Sequence, residues 1–281
     1  VTLASPADLI ATRGHGAVAA FNVIMLEQLE AFAAAAERTD TGVILQLSQN
    51  AVRYHGSLAP IGTAVLERAR ASRIPFAVQL DHADDVGLIR EAAQLGFTSI
   101  MFDGSRQSYA DNVETTRALT VELHERNVWV EAELGEIGGK DGVHSATART
   151  DPAEAADFVA ATGVDGLAVA VGSSHAMTDR TARLDIALIR SLAEAVPVPL
   201  VLHGSSGVAD GIVQEAIDAG IAKVNFGTRF NAALTAAVRA HLDDEPLVID
   251  PRKYLAAGRQ AVIEDALHLL ELLAVAPRPA P

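Results

Sequence analysis

No cysteine occurs anywhere in the 281-residue chain, which removes disulfides and every thiolate metal site from consideration. Any metal centre must be built from His, Asp and Glu. Positive charge is scarce as well: 22 Lys and Arg stand against 36 Asp and Glu, a formal net charge of −14. A surface that acidic repels nucleic acid and anionic membranes, so a phosphate-bearing ligand has to be drawn in locally by a metal, backbone amides or a few arginines. No apolar run reaches the roughly 20 residues that span a bilayer. The opening VTLASPADLIATRGHG lacks the basic segment, apolar run and small-residue cleavage site of a secretory leader. A soluble, cytoplasmic protein is expected, with a small-molecule partner and with neither nucleic acid nor membrane as a partner.

What the chain does have is a recurring element pattern. Eight short runs rich in β-branched or apolar residues follow one another: AVAAFNV (17–23), GVILQLS (42–48), PFAVQLDH (75–82), TSIMFDG (98–104), VWVEAEL (128–134), DGLAVAVG (165–172), PLVLHG (199–204) and AKVNFGT (222–228). Each reads as a buried parallel strand, apolar on both faces, and each is followed by helical periodicity, as in EQLEAFAAAAER (27–38) and VGLIREAAQLG (86–96). Spacing of this kind fits a βα unit, and eight units read as a (β/α)8 TIM barrel over about 15–240. A doubly wound open sheet is the competing architecture. No linker or shift in composition divides the chain, so residues 1–281 are read as a single domain. Beyond the barrel come a loop and C-terminal helix over 241–274 and a disordered tail at 275–281, which ends in APRPAP.

In a TIM barrel the active site lies at the C-terminal ends of the strands. The runs close on Asn22, Ser48, Asp81 with His82, Asp103, Glu131 with Glu133, His175, His203, and Asn225 with Thr228, whereas seven of the eight begin with Gly, Ala, Pro, Thr or Val. Of nine histidines, only His82, His175 and His203 sit at these ends. One such histidine alone reads as a hydrogen-bonded rim residue, but three at one mouth suit a zinc site with an open coordination position. Glu131 and Glu133 are two apart on a strand and so share a face. If that face is the barrel interior, one can orient a ligand histidine as an acceptor while the other joins Asp103 at an alternate metal position. A purely structural ion pair is the competing reading. The stretches LHGSSG (202–207) and NFGTRF (225–230) follow strands seven and eight, the usual phosphate-binding corner of the fold, and their small residues let amides and hydroxyls close around an anion.

Taken together, GAVAAFNV, LDHADD, MFDGS, VEAELGEIGG, LAVAVGSSHAMT, PLVLHGSSG, KVNFGT and DPRKYL resemble, in order and across nearly the whole chain, the class II metal-dependent ketose-bisphosphate aldolases, the fructose- and tagatose-bisphosphate aldolase group. The resemblance implies reversible retro-aldol cleavage of a ketose 1,6-bisphosphate to dihydroxyacetone phosphate and glyceraldehyde 3-phosphate. An alternative keeps the chemistry on a ketose 1-phosphate with another distal group, such as sulfofructose 1-phosphate or a deoxy sugar acid phosphate. A non-catalytic sugar-phosphate-binding relative is the remaining one.

By the same resemblance His82, His175 and His203 hold a catalytic Zn2+, which polarises the substrate carbonyl, and Asp103 and Glu133 match a second or mobile cation position, divalent or monovalent. Asp81 exchanges a proton with the C4 hydroxyl. Asn22 contacts substrate near the reacting carbons, and Gly204, Ser206, Asn225, Gly227 and Thr228 cradle the C1 phosphate. Ser48 and Arg252 meet the distal phosphate, Arg252 reaching it from a neighbouring subunit of a homodimer or homotetramer. The chain departs from the usual pattern at Ala176, where a Gly is common, at Gln79, where many relatives carry His, and in the short loop EIGGKDGVHSATARTDP. That loop lacks the Glu assigned to moving the dihydroxyacetone phosphate proton, and Asp141 is the nearest substitute as loop acid/base.

Overall fold

Eight parallel strands pair in chain order, and the last returns to the first to close the barrel. They are β1 (Val18–Asn22), β2 (Val43–Ser48), β3 (Phe76–Ala83), β4 (Ser99–Phe102), β5 (Trp129–Glu133), β6 (Gly166–Ala168), β7 (Leu200–Leu202) and β8 (Ile221–Phe226). All eight expected runs are strands, and the open sheet is excluded by the β1–β8 pairing. The structure is a computed structural model that describes residues 3–134, 149–174 and 180–274.

Helices α2 (Leu26–Thr39), α4 (Ala59–Ala71), α5 (Val86–Leu95), α6 (Tyr109–His124), α7 (Pro152–Thr162), α8 (Ile186–Ala195), α9 (Asp210–Asp218) and α10 (Thr228–Asp244) alternate with the strands, and the short α3 (Gln49–His55) continues directly from β2. Local chemistry starts them: Ser48, Asp85, Ser108, Asp151 and Asp185 each accept a hydrogen bond from a first-turn amide, which satisfies a donor the helix itself cannot. Gly96 and Gly163 stop α5 and α7 in the left-handed conformation. The final helix α11 (Pro251–Leu273) is capped by Asp250 and packs along α10, where Gly258 lies against Leu234 and Val238.

Strand parity divides the buried residues into two populations. Outward side chains such as Phe21, Leu45, Leu80, Phe102, Val130 and Phe226 join the helices in the main core. Inward ones form separate small clusters. At the bottom, Val18, Ala20, Ile44 and Ala77 meet Leu9 of α1 (Pro6–Thr12), a helix that the sequence reading did not anticipate and that Ser5 and Asp8 start with a reciprocal capping box. Higher up, Met101, Ala168, Ala170 and Val201 fill the opposite side.

Between these layers and the mouth the interior is polar: Gln46, Gln79, Glu131 and Lys223 are all fully buried. The expectation of strands apolar on both faces therefore holds on the outer face and at the bottom, and fails in the middle of the barrel. Facing strands there pair with one another, Gln79 and Lys223 both donating to Glu131, so burial does not require apolar side chains. Among the described residues no helix is long and apolar enough to cross a membrane. The expected tail at 275–281 lies outside the described residues.

Candidate active site

β3 sets the centre of the site. Its partner β2 keeps register as far as Ser48 opposite Asp81, but on the β4 side Leu80 pairs with Ile100 and Ala83 with Phe102. One extra residue is thus inserted at Asp81–His82, and His82 takes φ +48°, left-handed backbone that a residue with a Cβ rarely adopts. Regular alternation would send His82 outward behind Asp81. The bulge turns both neighbours toward the barrel mouth.

There His82 Nε2 faces His203 Nδ1 at 2.9 Å, with the two rings edge to face. The far nitrogen of each ring meets a carboxylate. Asp103 Oδ2 is 2.9 Å from His82 Nδ1, and Glu131 Oε1 is 2.9 Å from His203 Nε2. Glu133 Oε2 lies 3.8 Å from His82 Nδ1. One donor atom from each of Asp81, His82 and His203 falls within 4.8 Å of the others, and so does one from each of His82, Asp103 and Glu133. Asp81 is itself gripped from two strands, Asn22 Nδ2 donating to Oδ2 at 2.9 Å and Gln46 Nε2 to Oδ1 at 3.3 Å.

A cavity of about 620 Å3 opens above this cluster. Asn22, Ser48, Asp81, His82 and Asp103 line one part, and Gly204, Ser206, Asn225, Gly227 and Thr228 line the corner after β7 and β8. In that corner Ser205–Gly207 form one 3-10 turn, α10 begins at Thr228, and Ser206 Oγ accepts from Arg229 N in the first turn of that helix. Gly204 has φ +66°, and a Cβ there would sit 2.6 Å from the Ser174 carbonyl oxygen, so only glycine fits. His203 and Glu133 are buried at 0 % and 1 % exposure.

The arrangement of motifs along the chain is that of one family. A sequence model described as fructose-bisphosphate aldolase class-II matches residues 9–278. This chain belongs to the class-II fructose-bisphosphate aldolase family. The fructose-bisphosphate aldolase of Geobacillus stearothermophilus is 38% identical over 256 residues, covering 90% of this chain and 89% of the relative. That of Thermus caldophilus is 37% identical, covering 92% and 93%. The crystal structure of the YdjI aldolase from Escherichia coli K12 superposes with a TM-score of 0.85 at 31% identity over 97% of each chain. The family is one of carbon–carbon lyases and is generally metal-dependent.

The donor set of this aldolase suits a divalent cation. Burial lowers His203 to about 4, an effect that the Glu131 hydrogen bond only partly offsets, so the ring is neutral near pH 7 and keeps a lone pair to offer. Burial alone would raise Glu131, but the Lys223 charge and the His203 hydrogen bond bring it down to about 2. Each ring thus has a carboxylate against one nitrogen and turns its other nitrogen toward the neighbouring ring, 2.9 Å away, and a carboxylate behind the ring is the pattern in which histidine ligands are oriented for a metal.

Not every expected residue is brought in. His175 and Asp141 lie outside the described residues, as does Ala176. Arg252 is 90% exposed in its side chain, pairs with Asp250 at 2.8 Å and does not line the cavity of its own chain. Other residues at or below the site escaped the sequence reading. Gln46 and Lys223 sit on inward positions two residues before Ser48 and Asn225, a parity signal that was available. Arg106, Gln107, Ser174 and Asn231 line the cavity from loops and helix starts, where no periodicity marks them.

Proposed function

We propose that this chain is a zinc-dependent aldolase that cleaves a ketose 1,6-bisphosphate of the fructose or tagatose type to dihydroxyacetone phosphate and glyceraldehyde 3-phosphate. The observation that carries the reading is the Asp81–His82 bulge, which aims a carboxylate and an imidazole into a cavity whose other end is the glycine- and serine-rich corner after β7 and β8. His82, His203 and His175 would hold the metal, with Asp103 and Glu133 as a second or mobile position, and when bound it would supply Lewis acidity for polarising the ketose carbonyl.

The remaining work falls to the chain's own groups. Asn22 and Gln46 donate to the two oxygens of Asp81, so the carboxylate keeps its free lone pairs for the substrate. Asp81 removes the proton of the C4 hydroxyl as the C3–C4 bond breaks, and C4 leaves as the aldehyde carbonyl. Amides and hydroxyls of Gly204, Ser206, Gly227 and Thr228, with Asn225 beside them, hold the C1 phosphate at the start of α10, where the helix end favours an anion. Ser48 and the partner copy's equivalent of Arg252 receive the distal phosphate in a homodimer or homotetramer. Asp141 moves the dihydroxyacetone phosphate proton.

The test is dihydroxyacetone phosphate release before and after EDTA treatment, with zinc added back, across fructose 1,6-bisphosphate, tagatose 1,6-bisphosphate, fructose 1-phosphate and sulfofructose 1-phosphate. Zinc-restored release from either bisphosphate supports the reading. Release only from a 1-phosphate moves the assignment to the other distal group, and silence on all four with zinc bound refutes cleavage of these sugars.

A further inference from the structure

The barrel interior holds a charge the reaction does not use. Lys223 on β8 has no exposure to solvent, and its ammonium reaches Glu131 Oε2 at 2.6 Å. Taking a lysine and a glutamate together out of water is costly, and such pairs rarely add stability over an apolar pair of the same size. The pair therefore calls for a role. Gln79 Nε2 donates to the same oxygen at 3.2 Å. With Oε2 occupied by two donors, Oε1 is the oxygen turned to His203 Nε2.

We propose that Lys223 is a positioning residue which, acting through Glu131, locks the His203 imidazole with its proton on Nε2 and its bare Nδ1 aimed at the cation site. The inference rests on reading His203 as a metal ligand. A competing arrangement is close at hand. Asn225 Nδ2 lies 3.1 Å from His203 Nε2, and as a donor it favours the opposite tautomer, with the proton on Nδ1 and no lone pair toward His82. An anionic acceptor outweighs a neutral amide in that contest. Glu131 is such an acceptor while Lys223 fixes its rotation and balances its charge, and the Asn225 amide then turns its oxygen to the ring. His82 Nε2 lies 2.9 Å from His203 Nδ1, so in the metal-free chain a bare His203 Nδ1 is the acceptor of a His82 N–H, while Asp103, anchored in turn by Ser105, holds the other His82 nitrogen.

The experiment uses the full chain, metal-free, with 15N-labelled histidine. Two-bond 1H–15N correlations report which ring nitrogen carries the proton, and the His203 signals are those lost in His203→Asn. The wild type is expected to show a protonated Nε2 and a bare Nδ1, and Lys223→Met a mixture of both tautomers. In parallel, zinc affinity measured by competition with a chromophoric chelator is expected to fall about 10- to 100-fold in Lys223→Met, the usual effect of removing support behind a ligand. A Lys223→Met protein that melts earlier but keeps the wild-type tautomer and zinc affinity would show a structural ion pair and overturn the proposal. Should that variant not fold, the wild-type spectrum still decides, because a His203 proton on Nδ1 or shared between the nitrogens is incompatible with it. A wild type that binds no zinc would instead sink the metal-centred reading, and the metal-free spectra tell the two failures apart.

Discussion

Replacing Asp81 by alanine separates chemistry from scaffold, because the structure gives different magnitudes for the two. The carboxylate accepts from Asn22 and from Gln46. Gln46 is fully buried, so its stranded amide costs about 1–3 kcal/mol, whereas Asn22 is only partly buried and can turn to water. That lowers the melting temperature by several degrees for a chain of this size, too little to unfold the protein at 25 °C. A positioned acid/base, by contrast, contributes about 10²- to 10⁴-fold, or roughly 3–5 kcal/mol of barrier. Asp81→Ala is therefore expected to be folded and zinc-loaded with kcat down by at least 10²-fold. Three measurements check this: the coupled dihydroxyacetone phosphate assay, zinc content by mass spectrometry, and a melting curve. An Asp81 oxygen also lies within 4.8 Å of donor nitrogens of His82 and His203. Loss of zinc along with activity would thus reassign Asp81 as a ligand, and activity within tenfold of wild type would remove it from proton transfer.

Other expectations follow from the same geometry. Gly204→Ala places a Cβ 2.6 Å from the Ser174 carbonyl at φ +66°, so it should lower stability by about 1–3 kcal/mol and raise KM through the C1 phosphate, and an unchanged KM would remove this turn from the phosphate site. The metal-free protein should lose stability as pH falls from 6.5 toward 4. His203 is depressed from 6.5 to about 4, so the unfolded chain takes up the proton first, and the stability present above pH 6.5 drops by about 3 kcal/mol. Glu131, depressed from 4.5 to about 2, extends the loss below pH 4.5. Denaturant titrations that stay flat from pH 7 to 4 would contradict this. Arg252→Ala should raise KM only for acceptor aldehydes carrying a distal anion, and an equal effect with an unphosphorylated aldehyde would place Arg252 outside the pocket.

The barrel was legible because its two signals are periodic: short β-branched runs recur, and polar residues collect at one end of each. Parity extends that reading further than composition does. Asn22, Gln46, Glu131, Glu133, Lys223 and Asn225 all occupy inward positions, yet Gln46 and Lys223 do not stand out in a string because each sits between apolar residues, of which Leu45, Leu47 and Val224 belong to the outer core. Arg106 and Gln107 belong to the loop after β4, and nothing in a loop's sequence tells which side chains turn over the cavity. The α1 plug was missed for another reason: its seven residues offer only Leu9 and the half-buried Ile10 to the barrel bottom, too little apolar spacing to register.

His82 is the residue where sequence rules and function part company, and the reason is physical. Adjacent residues on a strand face opposite ways, so a motif that needs Asp81 and His82 in one cavity cannot be met by regular β structure. Moving the histidine one position along would restore parity but place it a full rise higher, out of line with His203. The chain instead inserts one residue opposite β4 and accepts left-handed backbone at His82, a strain of order 1–3 kcal/mol. Side-chain contacts hold that strain in place: Asp103 fixes His82 Nδ1, and Asn22 and Gln46 fix Asp81. The carboxylate proposed to handle the substrate proton and the imidazole proposed to face the cation are consequently neighbours on one backbone, and neither can be displaced without dragging the other.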